Sequence, residues 1–201
     1  MNPKVKQIQS KHAKYKTNNF ISNYLVRNFF KKINRLVGEI EFSSVLDIGC
    51  GEGMLFLNIA KYINNKKCCA IDFDIDEIKD AFKNLPFCEV KFGTVYQIPY
   101  ENREFELVTC TEVLEHLKEP AKALEEICRV TNKYVLLSVP REPLWRLLNI
   151  ARLSYLKEFG NTPGHVNHWS CRQFIKFVEN YFEVIDVSKP IPWSILIAKR
   201  R

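Results

Sequence analysis

"SVLDIGCGEG", residues 44–53, is a short apolar run that ends in a turn with glycine at positions 49, 51 and 53. Ser44 to Ile48 reads as a buried strand, and the glycines let the backbone after it come close to a ligand. In open sheets covered by helices, ligands bind at the carboxyl ends of strands, which is where this turn falls. A dinucleotide site would need glycines spaced as GxGxxG. Here Gly53 is followed by Met54 and Leu55, and two acids, Asp47 and Glu52, flank the glycines. A pyrophosphate would meet like charges, at a cost on the order of 1–4 kcal/mol per pair at about 4 Å. A cationic ligand is favoured in its place.

Outward from this stretch, strands and helices alternate. "GMLFLNIAKYI" reads as a helix, "KCCAID" as a strand, "DIDEIKDAF" as a helix, "CEVKF" as a strand and "EFELVTC" as another. "PAKALEEICRV" is a helix with Pro120 in its first turn, "KYVLLSV" a fully apolar strand, and "SCRQFIKFVENY" a helix opened by Ser170. "FEVIDVS" and "WSILIAK" complete the chain as strands, with only "KPIP" between them. Strands separated by helices predict a parallel sheet covered on both faces. The last link is too short for a crossover, so one of the final two strands runs antiparallel. Upstream, Ile21, Leu25, Phe29, Ile33 and Val37 fall at helical spacing, which predicts a helix over 18–38 that docks on the domain and stops at Gly38. Residues 1–17 read as a flexible basic arm, and 18–201 as a single domain whose loop-like stretch 140–170 forms a lid or acceptor segment.

The 201 residues suffice for one packed domain. No apolar run is long enough to span a membrane, and the N-terminus lacks the hydrophobic core of a secretory signal. Seven cysteines without CxxC spacing read as reduced core thiols of a cytoplasmic protein. The net charge of +7 is unevenly placed: residues 1–38 hold nine Lys/Arg and no acid, the chain ends in Lys-Arg-Arg, and 39–198 carry a net −5. Such ends are solvated arms or flexible contacts with anionic lipid, nucleic acid or an acidic substrate. The basic N-terminus is accordingly a candidate for peripheral membrane contact.

S-adenosylmethionine, with its ammonium and sulfonium, matches the charge demanded by the glycine turn. The second strand ends in Asp72, where a carboxylate can accept both ribose hydroxyls of an adenosine, and Phe73 can lie against the base. "VLDIGCGEG", "AIDFD" and "FELVTCTEVLEHL" together resemble the class I S-adenosylmethionine-dependent methyltransferases, closest to the ubiquinone-biosynthesis O-methyltransferases and general small-molecule methyltransferases. The resemblance is strong over 43–140 and looser over 165–199. It implies a Rossmann-like α/β fold with a seven-stranded sheet in the order 3-2-1-4-5-7-6, strand 7 antiparallel. It places Asp47, Gly49, Cys50, Gly51 and Thr111 beside the methionine part of the cofactor, Asp72 and Phe73 at the ribose and base, and Thr94 and Val95 at the adenine. Thr94 departs from the aspartate common there, and "VTNKY" replaces a Gly-Gly turn, with Asn132 as the candidate left-handed residue.

Methyl transfer from a sulfonium is an in-line displacement governed by positioning, and a hydroxyl acceptor gains from losing its proton. "TEVLEHLKEP" supplies Glu112, Glu115 and His116 at i, i+3 and i+4, one face if the stretch is helical. "GNTPGHVNHWS" adds His165 and His168. Three readings compete: Glu115 and His116 fix the loop by hydrogen bonds; His116 or His165 is a general base, with Glu112 beside it; or Glu112, Glu115, His116 and one downstream His, best His165, hold a divalent metal. The last pattern also resembles the small-RNA 2′-O-methyltransferases. In the lid, Leu144, Trp145, Leu147, Leu148 and Ile150 have Arg141, Arg146 and Arg152 among them, so the stretch reads either as a lid helix packed on the core or as the cover of an apolar or acidic acceptor, with Arg141 reaching an anionic group. The overall expectation is a methyltransferase acting on a small-molecule acceptor, an oxygen of a lipid-like, quinone or glycan compound. The alternatives are an RNA 2′-O-methyltransferase, disfavoured because the domain proper is acidic, and a cofactor-binding partner without turnover.

Overall fold

Strand β1 (Ser44–Ile48) is buried at every position and is flanked on both sides by parallel neighbours. A strand covered on both faces must be apolar throughout, which "SVLDI" satisfies except at Asp47. The computed structural model describes residues 20–74, 82 and 85–201. Around β1 run β2 (Lys67–Asp72), β3 (Cys88–Phe92), β4 (Phe105–Thr111), β5 (Thr131–Pro140), β6 (Phe182–Ser188) and β7 (Trp193–Arg200). They form one seven-stranded sheet in the order β3-β2-β1-β4-β5-β7-β6. β7 runs antiparallel to both β5 and β6, as the four-residue link 189–192 requires. Order and orientation are those expected from the sequence.

Helix α1 (Phe20–Gly38) buries Phe29, Ile33, Leu36 and Val37 against α2 (Met54–Ile63) and the sheet. Arg35 adds an ion pair to Asp186 of β6 at 2.7 Å. The opposite sheet face is covered by α3 (Pro120–Val130) and by a second amphipathic helix, α5 (Cys171–Val178). α5 starts with a capping box: the Ser170 hydroxyl accepts from the Gln173 amide while the Gln173 side chain accepts from the Ser170 amide. Between β5 and α5, in the stretch expected to form a loop-like lid, lie α4 (Leu144–Ala151) and a single 3₁₀ turn, Leu156–Glu158.

One local expectation fails. Asn132 does not supply a left-handed turn; β5 starts at Thr131, directly after α3. The Thr131 hydroxyl donates to the Ile127 carbonyl at 2.6 Å and the Arg103 amide to the Arg129 carbonyl at 2.8 Å, so the helix end is satisfied without a glycine-like residue. The expected basic arm, and most of the helix expected over "DIDEIKDAF", lie outside the described residues. All seven cysteines are free thiols, four of them buried.

α1 is part of the core, and its loss is measurable. Ile33 is fully buried, so Ile33→Ala should lower unfolding free energy by roughly 2–5 kcal/mol in urea. Phe20→Ala, at a side chain 83% exposed, should change it by less than about 0.5 kcal/mol. Equal effects would mean that α1 does not dock as described.

Candidate active site

The glycine turn is pinned to the end of β2. The amides of Gly49 and Cys50 both donate to the Ile71 carbonyl, at 2.9 and 3.2 Å. The Gly51 amide donates to Asp72 Oδ2 at 2.9 Å, and the Asp74 amide to Oδ1 at 3.2 Å. Asp72 is thereby turned back toward the glycines and is only 9% exposed. Gly49 has φ +69°, and a Cβ there would stand 2.4 Å from the Val113 side chain. Any larger residue at 49 therefore faces both backbone strain and a clash. Cys50 beside it is held as a thiol: burial first, then the charges of Asp47 and Asp72, push its pKa up.

Asp47 projects from β1 with 2% exposure, and its Oδ1 accepts from the Thr109 hydroxyl at 2.7 Å. Burial pushes its carboxyl up to about 7, against the pull of that hydrogen bond, and the Asp72 charge adds to the rise.

Two cavities open at the carboxyl ends of the strands. One, of about 640 Å³, is lined by Ile48, Asp72, Phe73, Thr94 and Val95, among others. Val95 is buried there, Thr94 is exposed, and Phe73 stands 76% exposed at the rim. The other, of about 350 Å³, is lined by Asp47, Cys50, Gly51, Thr111, Glu115 and His165, with aromatic walls. Gly49, Glu112 and His116 border both, so the cavities form one trench. The nine residues expected at a cofactor all line it.

The aromatic walls were not foreseen. Phe29 and Phe30 come from α1, Trp145 from α4 and Trp193 from β7. Trp193 lies 4.9 Å from Phe29 and 5.9 Å from Trp145, centroid to centroid, and Trp145 lies 5.7 Å from His165. No Lys or Arg is among the described residues lining either cavity, and Arg141 is not among them.

Glu112, Glu115 and His116 do not share a helical face. Glu112 follows β4 with φ +58°, and a 3₁₀ turn, Leu114–His116, comes next. The Glu112 oxygens accept from the Ser138 hydroxyl and the Trp193 indole, each at 2.8 Å. Glu115 points elsewhere: it is 2% exposed, and its Oε2 has no partner. Burial raises both carboxyls, and the charge of Glu112 raises Glu115 further. His116 Nδ1 lies 3.0 Å from the Gly164 carbonyl, an acceptor only, so Nδ1 carries a proton, and Nε2 faces Glu115 Oε1 at 3.9 Å. His165 packs edge-on against His116 at 4.8 Å, and burial, then His116 and His168, pulls its pKa down to about 4. His168 is engaged elsewhere, accepting from the Arg146 guanidinium at 2.9 Å.

Glu115, His116 and His165 offer ligand atoms that all lie within 4.8 Å of one another. One carboxylate and two neutral imidazoles suit a first-row divalent ion, and the Gly164 carbonyl orients His116 as an outer partner would. The unpartnered Glu115 oxygen fits this role. Glu112, bonded to Ser138 and Trp193, is not brought into the group.

A family model described as a methyltransferase domain matches residues 20–186. An uncharacterised methyltransferase of Schizosaccharomyces pombe is 27% identical over 62% of this chain and 45% of its own length. A ubiquinone biosynthesis O-methyltransferase of Alkalilimnicola ehrlichii is 28% identical over 72% of this chain and 59% of its own. The chain spans about half the length of the curated relatives it matches. In fold it is similar to the magnesium protoporphyrin IX methyltransferase of Synechocystis, solved with S-adenosylhomocysteine, at TM-score 0.67 and 17% identity, covering 98% of this chain and 92% of that one. With the sheet order and the trench at its strand ends, the match over 20–186 shows that the chain belongs to the methyltransferase-domain family and has the fold of the class I S-adenosylmethionine-dependent methyltransferases.

Proposed function

We propose that this enzyme transfers a methyl group from S-adenosylmethionine to an oxygen of a neutral, apolar small-molecule acceptor of the lipid-like or quinone type, the aromatic walls disfavouring a glycan. The observation that carries the reading is the single trench made of two cavities meeting at Gly49, Glu112 and His116. Bound in it, S-adenosylmethionine supplies an electrophilic methyl on a sulfonium. Asp72 holds the ribose hydroxyls, Phe73, Thr94 and Val95 border the adenine, and Asp47, Cys50, Gly51 and Thr111 border the methionine part. The 350 Å³ cavity then holds the acceptor against Phe29, Trp145 and Trp193. With no Lys or Arg among the described residues that line it, phosphate-bearing acceptors, RNA included, are disfavoured. His116 Nε2, the ring nitrogen that the Gly164 carbonyl does not engage, is placed to take the acceptor proton.

A second reading has the ion-ligating geometry of Glu115, His116 and His165 in its favour. A divalent cation held there would supply Lewis-acid activation of the acceptor hydroxyl. Equilibrium dialysis with Mn²⁺ or Zn²⁺ should then retain about one ion per chain, with retention at least roughly tenfold weaker in Glu115→Gln and His165→Ala. Unimpaired turnover in chelator would discard this reading and leave the metal-free one.

Asp72→Ala should weaken S-adenosylhomocysteine binding by roughly tenfold or more in calorimetry, because two charge-assisted hydrogen bonds are lost. Unchanged affinity would refute the ribose assignment.

Asp47 gives the reading a pH signature. Its folded pKa of about 7 lies above the ordinary 3.8. The folded chain thus keeps a proton that the unfolded chain releases, and stability falls as pH rises from about 4 to about 7. Above that window the ionised group costs about 4 kcal/mol. An ammonium beside it offsets that cost, so affinity for S-adenosylmethionine should rise from pH 6 to pH 8. Asp47→Asn should flatten this rise, weaken binding and raise the apo melting temperature at pH 8. A pH-dependent affinity that persists in Asp47→Asn would assign the titration to another group.

A further inference from the structure

Helix α4 is inside out. Of its eight residues only one is buried, and that residue is Asn149, at 1% exposure. Asn149 donates to the Gly160 carbonyl at 2.8 Å and to the Thr162 hydroxyl at 3.2 Å, while its own Oδ1 accepts from Arg152 at 2.6 Å. These bonds fold residues 144–162 into a compact lobe pinned by a polar centre. The apolar side chains are left outside: Leu147 is 58% exposed, Leu153 78%, Leu156 51% and Phe159 79%, with Ile150 at 39%. Five large apolar side chains exposed within thirteen residues are not the surface of a solvated loop.

The lobe also carries charge of one prevailing sign. Residues 141–159 contain Arg141, Arg146, Arg152 and Lys157 against Glu142 and Glu158, whereas 39–198 as a whole are net acidic. Arg146 is matched by Glu142 at 3.7 Å. Arg152 and Lys157 are exposed among the apolar residues. α1, the other wall of the acceptor cavity, has four Lys/Arg and no acid and exposes Phe20 at 83% and Tyr24 at 61%.

We propose that this lobe is a membrane-docking surface, which inserts Leu147, Leu153, Leu156 and Phe159 into the interfacial region of an anionic bilayer while Arg152 and Lys157 engage its headgroups. Apolar insertion plus a basic rim is the pair of contributions that stable interfacial binding needs, and long cationic side chains reach headgroups from a partly inserted element. A second copy seated face to face fits less well, because it would gather Arg152 and Lys157 of both copies into one interface with only Glu158 of each copy beside them. Docking does not depend on the transfer reaction. Its consequence, where the proposed function holds, is an acceptor that enters the cavity from the lipid, past Trp145 on the inner side of the same lobe.

The test is co-sedimentation of the full chain with phosphatidylcholine vesicles, with and without phosphatidylglycerol, in the absence of cofactor. Binding should be roughly tenfold tighter to the anionic vesicles and should weaken with salt. Leu153→Ser with Phe159→Ser should lose roughly tenfold or more on anionic vesicles. Lys157→Glu, which touches none of the bonds of Asn149, should weaken the anionic preference. Both variants should keep wild-type melting and S-adenosylhomocysteine affinity, which separates lost docking from a damaged fold. The proposal is overturned if the wild type ignores vesicles. It is also overturned if the Ser variant binds them like the wild type, or if sedimentation shows a wild-type dimer that the Ser variant dissociates.

Discussion

A concentration of buried negative charge with no built-in counterion governs this site. Asp47, Asp72, Glu112 and Glu115 line one trench at the strand ends, and no lysine or arginine is among the described residues around it. Desolvation raises the carboxyls of Asp47, Glu112 and Glu115. A carboxylate removed from water must be paired, hydrogen-bonded or protonated. Thr109 partly satisfies Asp47, and Ser138 with Trp193 satisfies Glu112. What remains is a site whose ionised form gains most from a cationic ligand. Selection between a sulfonium-bearing and a phosphate-bearing cofactor is therefore electrostatic before it is steric.

Backbone geometry sets those carboxylates in place, and this part was legible in the sequence because it is local. An apolar five-residue strand followed by three glycines can hardly be anything but a strand and a tight turn. Asp72 falls at the end of the next strand, where parallel pairing of Ile48 with Ile71 sets it beside the turn. The alternation of elements also carried a parallel sheet with one of the last two strands antiparallel, and the strand order followed from the resemblance of the motifs to the class I methyltransferases. The aromatic wall was not legible. Trp193 is far from the glycine turn in sequence and reaches the site only because β7 inserts between β5 and β6 and pairs with the end of β5 at Pro140. Phe29 sits on a helix whose spacing announced a docked element, and nothing in that spacing says that one flank of the docked face forms a cavity wall.

Spacing also misled at Glu112. Positions i, i+3 and i+4 converge only on an α-helix, and the chain here leaves a strand through a left-handed residue into a single 3₁₀ turn. Glu112 therefore looks back to Ser138 on β5, while Glu115 and His116 look across to His165. The same four residues divide into a carboxylate that ties the ends of β5 and β7 together and a three-donor group in the 350 Å³ cavity. Glu112 lines both cavities and, through the Trp193 indole, fixes an aromatic side chain in the wall of the smaller one.

The lobe over the acceptor cavity obeys an inverted packing rule for a related reason. A segment that contributes Trp145 to the cavity has already committed one apolar side chain inward. Its centre is held by hydrogen bonds from Asn149 instead of by an apolar plug, so the lobe's conformation does not depend on burying its leucines. Such a lobe is stable with its apolar side chains outward, where an ordinary amphipathic helix would roll to bury them. Polar pinning thus decouples the shape of the lobe from the location of its hydrophobic surface. The Trp145 indole, donating to the Thr162 hydroxyl that also accepts from Asn149, ties the cavity wall to that pin. These bonds, and Trp145 packed on His165, connect the outer face of the lobe to the wall of the 350 Å³ cavity.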